Sequence, residues 1–141
     1  MNRAAPPMSH LPVIDAESAP FWAGTKQHKF LLRHCNACGR SHFYPRHSCP
    51  HCWSDNCEWR PSSGRGRVYS YTVIHHNDVL PFKDRLPYIV ALIDLEEGVR
   101  VTTNIVEGTP EVMHVGMPVE VVYEHVSDEV TLPQFRPRAQ T

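Results

Sequence analysis

The sequence predicts a mainly β chain: a short N-terminal helix, a ribbon folded around a metal ion, and a small five-stranded barrel. Three observations carry that expectation. Thirteen prolines and 7 glycines in 141 residues work against long helices and suit short strands joined by turns. Two Cys-x-x-Cys pairs, Cys35/Cys38 and Cys49/Cys52, stand in a stretch poor in aliphatic side chains, as in a module that folds around an ion. From Arg67 onward, β-branched and aromatic residues dominate and are broken by turn signals at short intervals.

Residues 1–12 contain Pro6, Pro7 and Pro12 without periodicity and read as a flexible arm. Residues 13–33 form a helical segment. Asp15 caps a helix entering through Ala16, Glu17 and Ser18, Pro20 is tolerated in the first turn, and Phe21, Trp22 and Phe30 supply apolar contacts. Residues 34–60 form the metal ribbon, and the Pro/Ser/Gly turn that follows opens a barrel over residues 61–137, leaving 138–141 as a tail.

Barrel strands are expected at 67–76, 87–96, 99–106, 118–125 and 130–135, separated by Gly, Pro, Asp or Asn signals. The second, through Tyr88 to Ile93, reads as apolar on both faces and therefore central. Val99, Val101, Thr103 and Ile105, like Val119, Val121 and Tyr123, alternate as half-exposed strands do. Five short strands with no long helix between them suggest a closed or partly open barrel.

Composition narrows the function classes. The formal charge of −1 provides no global positive field to gather phosphate backbones, so nucleic acid is a disfavoured partner. The longest apolar run, Ile89 to Ile93, is far short of the roughly 20 residues that span a bilayer, and no signal-like segment follows Met1. A soluble cytoplasmic protein without a membrane role is expected. Five cysteines, an odd number arranged in close pairs, suit metal-bound thiolates better than a disulfide framework.

Cys35, Cys38, Cys49 and Cys52 can place four sulfurs tetrahedrally around Zn²⁺, with Gly39 after the first pair and Pro50 inside the second shaping the turns. Such a site is closed to substrate and water, so the ion holds the fold rather than performing chemistry. The competing readings are buried small hydrophobes or a redox iron site. His34, His42, His47 and His51 crowd the same stretch; each is read as a solvated bystander, with replacement of a sulfur as the alternative. Cys57, outside the hairpins, reads as a half-buried thiol.

No nucleophile elbow, phosphate loop or His-Glu-x-x-His motif occurs in the sequence. His75 and His76 beside Asp78 offer a base and an orienting carboxylate, but neighbouring side chains on a strand point to opposite faces, so loop termination is favoured over catalysis. Arg46, Arg60, Arg65 and Arg67 gather around the ribbon-to-barrel junction. Coenzyme phosphates could dock there on the Gly64 and Gly66 amides with Arg46 and Arg65; the alternative is a solvated rim of arginines.

The joint order of several segments carries a resemblance. An aromatic helix is followed by Cys35-Asn36-Ala37-Cys38-Gly39, Tyr44-Pro45-Arg46, Cys49-Pro50-His51-Cys52, the Gly64–Val73 stretch, Pro87–Ile93 and Gly116-Met117-Pro118-Val119. From about Pro20 to Pro137 the chain resembles the thiolase-associated zinc-ribbon/OB-fold family, formerly a domain of unknown function. The resemblance implies a rubredoxin-like zinc ribbon and a C-terminal OB-fold barrel. It also implies a small companion of thiolase-like or lipid-transfer-type thiolase enzymes in acyl-CoA metabolism, one subclass serving steroid side-chain aldolases. Catalytic residues in that family belong to the partner. The zinc site carries over to Cys35, Cys38, Cys49 and Cys52, and the glycine-bearing strand entry to Gly64 and Gly66. Tyr44 departs from the proline often found before the Pro-Arg pair.

The leading expectation is a non-catalytic accessory subunit in a hetero-oligomer with a thiolase-like protein. It would help admit or hold an acyl-CoA substrate, with Phe21, Trp22, Phe43 and Trp53 as candidate anchors. The alternatives are a single-stranded nucleic-acid module stacking bases on Tyr69, Tyr71 and Phe82, and a free-standing enzyme using His75 or His76.

Overall fold

The computed structural model describes residues 11–139, so the expected arm, apart from Leu11 and Pro12, and the last two tail residues lie outside the described chain. The fold is mainly β, with one short helix, a ribbon region and a closed five-stranded barrel.

Helix α1 spans Ala19–Lys26 and starts three residues later than expected. The Asp15 carboxylate accepts the Ser18 N–H and the Ser18 hydroxyl, both at 2.8 Å, so Asp15 closes a turn ahead of the helix instead of capping it. Pro20 sits in the first turn, where the amide it lacks would have no intrahelical partner. At the other end, Gln27 and Lys29 N–H both donate to Gly24 O at 2.9 Å, and His28 turns with φ 59° to stack on Tyr123 of the barrel at 4.7 Å.

Strands β1 (Leu31–Cys35), β2 (Ser41–His42) and β3 (Cys57–Pro61) form an antiparallel sheet in the order β2-β1-β3. Sequence periodicity does not reveal it, because these strands are two to five residues long and carry the cysteines, histidines and charges of the ribbon.

Strands β4 (Arg65–Ile74), β5 (Tyr88–Leu95), β6 (Arg100–Ile105), β7 (Pro118–His125) and β8 (Thr131–Pro137) close the barrel in the order β4-β5-β6-β8-β7. Closure comes from β7 returning to β4 at Arg65/Glu120, Gly66/Val119 and Arg67/Pro118, and from the parallel contact of Ile105 with Phe135. This is the OB-type plan that the resemblance implies. Gly66 occupies a crossing with no room for a side chain, since a Cβ there would lie 2.5 Å from Asp94 O and 2.8 Å from Ile93 Cγ2.

Strand β5 is apolar on both faces over Tyr88–Ile93 and runs between β4 and β6, as expected, but the two faces are not equally buried. Ile89, Ala91, Ile93 and Leu95 face the barrel interior, while Tyr88, Val90 and Leu92 are only half-buried on the outer face. A closed barrel has one interior, so even an all-apolar strand can fully bury only alternate residues. Phe21 and Trp22, candidate partner anchors by sequence, are corrected: both lie in the core. Phe21 meets Phe30 edge-on at 5.4 Å and Phe30 meets Phe135 of β8 at 6.1 Å, so a line of aromatic rings joins the helix to the barrel.

Candidate metal centre

The first cysteine pair leaves the end of β1, the second stands in the loop between β2 and β3, and both bend back through matching turns. Gly39 N–H donates to Cys35 O at 2.9 Å, and Trp53 N–H donates to Cys49 O at 2.8 Å. Gly39 and Trp53 hold equivalent positions and both adopt positive φ, 78° and 68°. Glycine takes that conformation freely, whereas a bulky side chain there costs of order 1–3 kcal/mol.

The turns bring the sulfurs of Cys35, Cys38, Cys49 and Cys52 within 4.8 Å of one another. Cys35 Sγ stands 3.5 Å from Cys52 Sγ, and Cys38 Sγ 3.7 Å from Cys49 Sγ. Backbone amides face the cluster: Cys38 N–H reaches Cys35 Sγ at 3.5 Å, and His51 N–H reaches Cys49 Sγ at 3.4 Å. Cys35 and Cys49 are buried, while Cys38 and Cys52 are exposed.

The electrostatics are those of anions packed without a counter-charge. The Cys38 N–H, aided by that of Ala37 and by the Cys52 and Cys38 thiols, brings Cys35 down to about 6 against the effect of burial. Cys52 is favoured as thiolate by the Ser54 backbone, yet the sulfurs of Cys35, Cys38 and Cys49, together with burial, push it up to about 12. Four thiolates this close are relieved together by a dication, and an all-sulfur tetrahedral donor set suits zinc.

Among the described residues no histidine joins the cluster. His34 Nδ1 pairs with Ser41 Oγ at 3.0 Å. His42 is buried, and neither ring nitrogen has a hydrogen-bond partner. Burial holds its pKa below the usual imidazole value despite the Arg46 carbonyl, and the charges of Arg33, His51 and Arg46 add to that depression. Cys57 is half-buried outside the quartet, and burial pushes its thiol up.

The other sequence-predicted residues are dispersed. Arg46 lines clefts on the ribbon with Glu17 and His47, whereas Arg65 is exposed on β4. Gly64 N–H donates to Ser62 Oγ at 3.0 Å, and Gly66 lies in the ladder between Leu95 and Val119. The adjoining turn is pinned by Glu96 and Glu97, which accept from Ser62 and Ser63. His76 reaches Asp78 at 3.4 Å with both side chains strongly exposed. Phe43 packs beside the core, and Trp53 alone of the four candidate anchors is open to solvent, at 79%.

A feature the sequence did not reveal is a cavity of about 530 Å³ between the outer faces of β5, β6 and β8 and the 75–87 loop. Tyr88, Val90, Asn104 and Gln134 line it. Its cation Arg85 lies 3.9 Å from Glu124, and Glu107 at its rim pairs with Arg136 at 3.2 Å.

A four-cysteine ribbon joined to a closed five-stranded barrel defines a zinc-ribbon/OB-fold protein, with four cysteines positioned to bind a metal ion. Residues 22–58 match the ChsH2 rubredoxin-like zinc ribbon domain and residues 59–124 the ChsH2 C-terminal OB-fold domain. The chain belongs to this ChsH2, or DUF35, family.

It is 38% identical over 112 residues to a DUF35 domain-containing scaffold protein of Methanocaldococcus jannaschii, covering 77% of each chain. It is also 38% identical over 126 residues to a probable enoyl-CoA hydratase alpha subunit of Thermomonospora curvata; the match takes in 89% of this chain but 39% of that longer protein. A benzoylsuccinyl-CoA thiolase subunit, BbsA, of Thauera aromatica is 32% identical over 94 residues, covering 67% of this chain and 62% of that one. Among solved structures, a chain of the Ltp2-ChsH2(DUF35) aldolase superposes with a TM-score of 0.80 at 38% identity, covering 90% of this chain and 98% of that one. Among the described residues no helix is long and apolar enough to cross a membrane.

Proposed function

We propose that this chain is a non-catalytic accessory subunit of a thiolase-like or aldolase complex acting on acyl-CoA thioesters in the cytoplasm. In this reading Cys35, Cys38, Cys49 and Cys52 ligate one structural Zn²⁺. The ribbon docks the partner, and the partner's residues perform the chemistry. The observation that carries the reading is the near end-to-end likeness to a chain of the Ltp2-ChsH2(DUF35) aldolase. The scaffold, hydratase-subunit and thiolase-subunit names of the other relatives support it.

The geometry agrees with a supporting role. Four thiolates fill a tetrahedral ion and leave no position for substrate, so the metal's contribution is to hold the knuckles that shape the ribbon surface. The barrel cavity is the part of this chain suited to an uncharged portion of a substrate or partner, because its arginine is already answered by Glu124. Arg85, Arg100 and Arg136 each face a carboxylate on the barrel, an arrangement that speaks against a groove tracking a phosphate backbone.

The test is co-expression with the thiolase-fold proteins of the same genome, followed by assays of each chain alone and of the mixture with acyl-CoA thioesters. A stable complex whose turnover exceeds the sum of its parts is expected. Equal turnover by the isolated chain would overturn the reading.

A further inference from the structure

We propose that the second cysteine knuckle and the adjoining ribbon cleft form the docking surface for the partner. They would seat a segment of the thiolase-fold subunit that lays an apolar side chain against Trp53 and Tyr44 and sets a carboxylate beside Arg46 and Arg33. This rests on the accessory-subunit reading and specifies how that subunit would be held.

The first observation is Trp53 itself. Its backbone holds the left-handed conformation that glycine fills at the equivalent position of the first knuckle, yet its ring is 79% exposed and contributes almost nothing to the core. An indole kept at a strained position and presented to water is accounted for by something that covers it. Tyr44, 43% exposed, lines the same cleft; its inner edge meets Phe21 at 6.2 Å and Phe43 at 5.3 Å, and its hydroxyl accepts the Trp22 indole N–H at 3.0 Å, which fixes the ring in place with its other side open.

The second observation is continuity. A cleft of about 200 Å³ bordered by Arg33 and Trp59 and a cleft of about 420 Å³ bordered by Tyr44 and Trp53 share Glu17, Arg46 and His47. The two clefts therefore adjoin on the ribbon, with those three residues as their common wall.

The third is charge. The acids of the clefts are engaged internally: Asp15 accepts from Ser18, and Glu17 accepts the His47 N–H at 2.8 Å. Among the described residues neither Arg33 nor Arg46 has a carboxylate within ion-pair distance. Arg33 lies over the Trp59 ring at 5.0 Å, which holds its guanidinium at the cleft wall. Exposed aromatics beside unpaired guanidinium groups fit a carboxylate-bearing, partly apolar protein segment.

The experiment uses the full zinc-loaded chain with the thiolase-fold proteins of its own genome, measured by calorimetric titration. If the wild-type chain binds none of them, the accessory reading falls and this proposal with it. Given a wild-type complex, Trp53→Gly should keep one zinc per chain and an equal or higher Tm, because glycine relieves the backbone, while affinity drops at least tenfold. Arg46→Glu should likewise cost at least tenfold and flatten the salt dependence, whereas Arg65→Glu on the barrel should stay within twofold. Wild-type affinity in both Trp53→Gly and Arg46→Glu would overturn this surface and leave the accessory reading standing. So would self-association of the isolated chain, or binding of a single-stranded oligonucleotide, that is abolished by Trp53→Gly.

Discussion

Cys57 lies directly across from Cys35 in the β1–β3 ladder. The adjacent bond, Asn36 N–H to Asn56 O at 2.9 Å, marks the two cysteines as a non-hydrogen-bonded pair, the kind in which facing side chains approach most closely. A fifth thiol therefore stands against a buried member of the quartet while remaining outside it, and its own Sγ–H points to Ser54 O at 3.7 Å.

Metal content separates the fifth thiol from the four. Cys57→Ala should keep one zinc per chain by metal analysis, whereas Cys38→Ser should lose it. Structural zinc in small fingers is worth roughly 10–16 kcal/mol, so the ribbon amides of Cys38→Ser should lose hydrogen-exchange protection while those of β4–β8 retain it. Zinc loss in Cys57→Ala would assign this residue a ligand role.

His42 gives stability a pH dependence. Its imidazole is held below the ordinary value of 6.5, first by burial, so below that pH the unfolded chain binds the proton more readily than the folded one. The stability contributed by neutral His42 is complete above pH 6.5 and is lost as the pH falls beneath it. His42→Leu should flatten the fall in denaturation midpoint over that window at equal zinc content. An unchanged slope would show that other groups set it.

Gly66→Ala should lower stability by about 1–3 kcal/mol or more, the usual cost of forcing extra volume into a packed site. The atom it would strike is the Asp94 backbone oxygen, which cannot swing aside as a flexible side chain can. Urea denaturation of the zinc-loaded protein measures this, with Gly98→Ala as a comparison in which the added Cβ meets open space but the positive φ of 83° still exacts strain.

Phe30→Ala removes the middle ring of the line from Phe21 to Phe135. A loss of about 3–5 kcal/mol is expected for deleting a buried phenylalanine. The ribbon and barrel should then melt in separate calorimetric steps where the parent shows one. A single transition in the variant would mean that other contacts, such as His28 on Tyr123, suffice to couple them.

The sequence made the centre legible because cysteine spacing encodes a local turn that needs no long-range information: the two knuckles close within themselves through Gly39 and Trp53. Barrel strands were also readable, since Val, Ile and Tyr runs broken by Gly and Asn mark strands whatever their partners; their ends moved by two residues at most, and those of β7 not at all. The ribbon sheet was not, because Ser41–His42 is too short to show a period and its pairing is imposed by the knuckles. Nor could adjacency in sequence tell Trp22, buried at 6%, from Trp53, since helix phase and knuckle geometry decide which indole faces the core. The cavity beside Tyr88 depends on strands far apart in the chain and leaves no local signal.

Closure of the barrel has a bearing on how this molecule keeps company. Once β7 has come back to β4, all five strands have neighbours on both sides, and the sheet that remains open ends in a two-residue strand on one side and a strand finishing at Pro61 on the other. Backbone templating, the route by which unprotected strands recruit strangers and grow into fibrils, has little to grip here. Recognition by this molecule is thereby left chiefly to side chains rather than to strand addition.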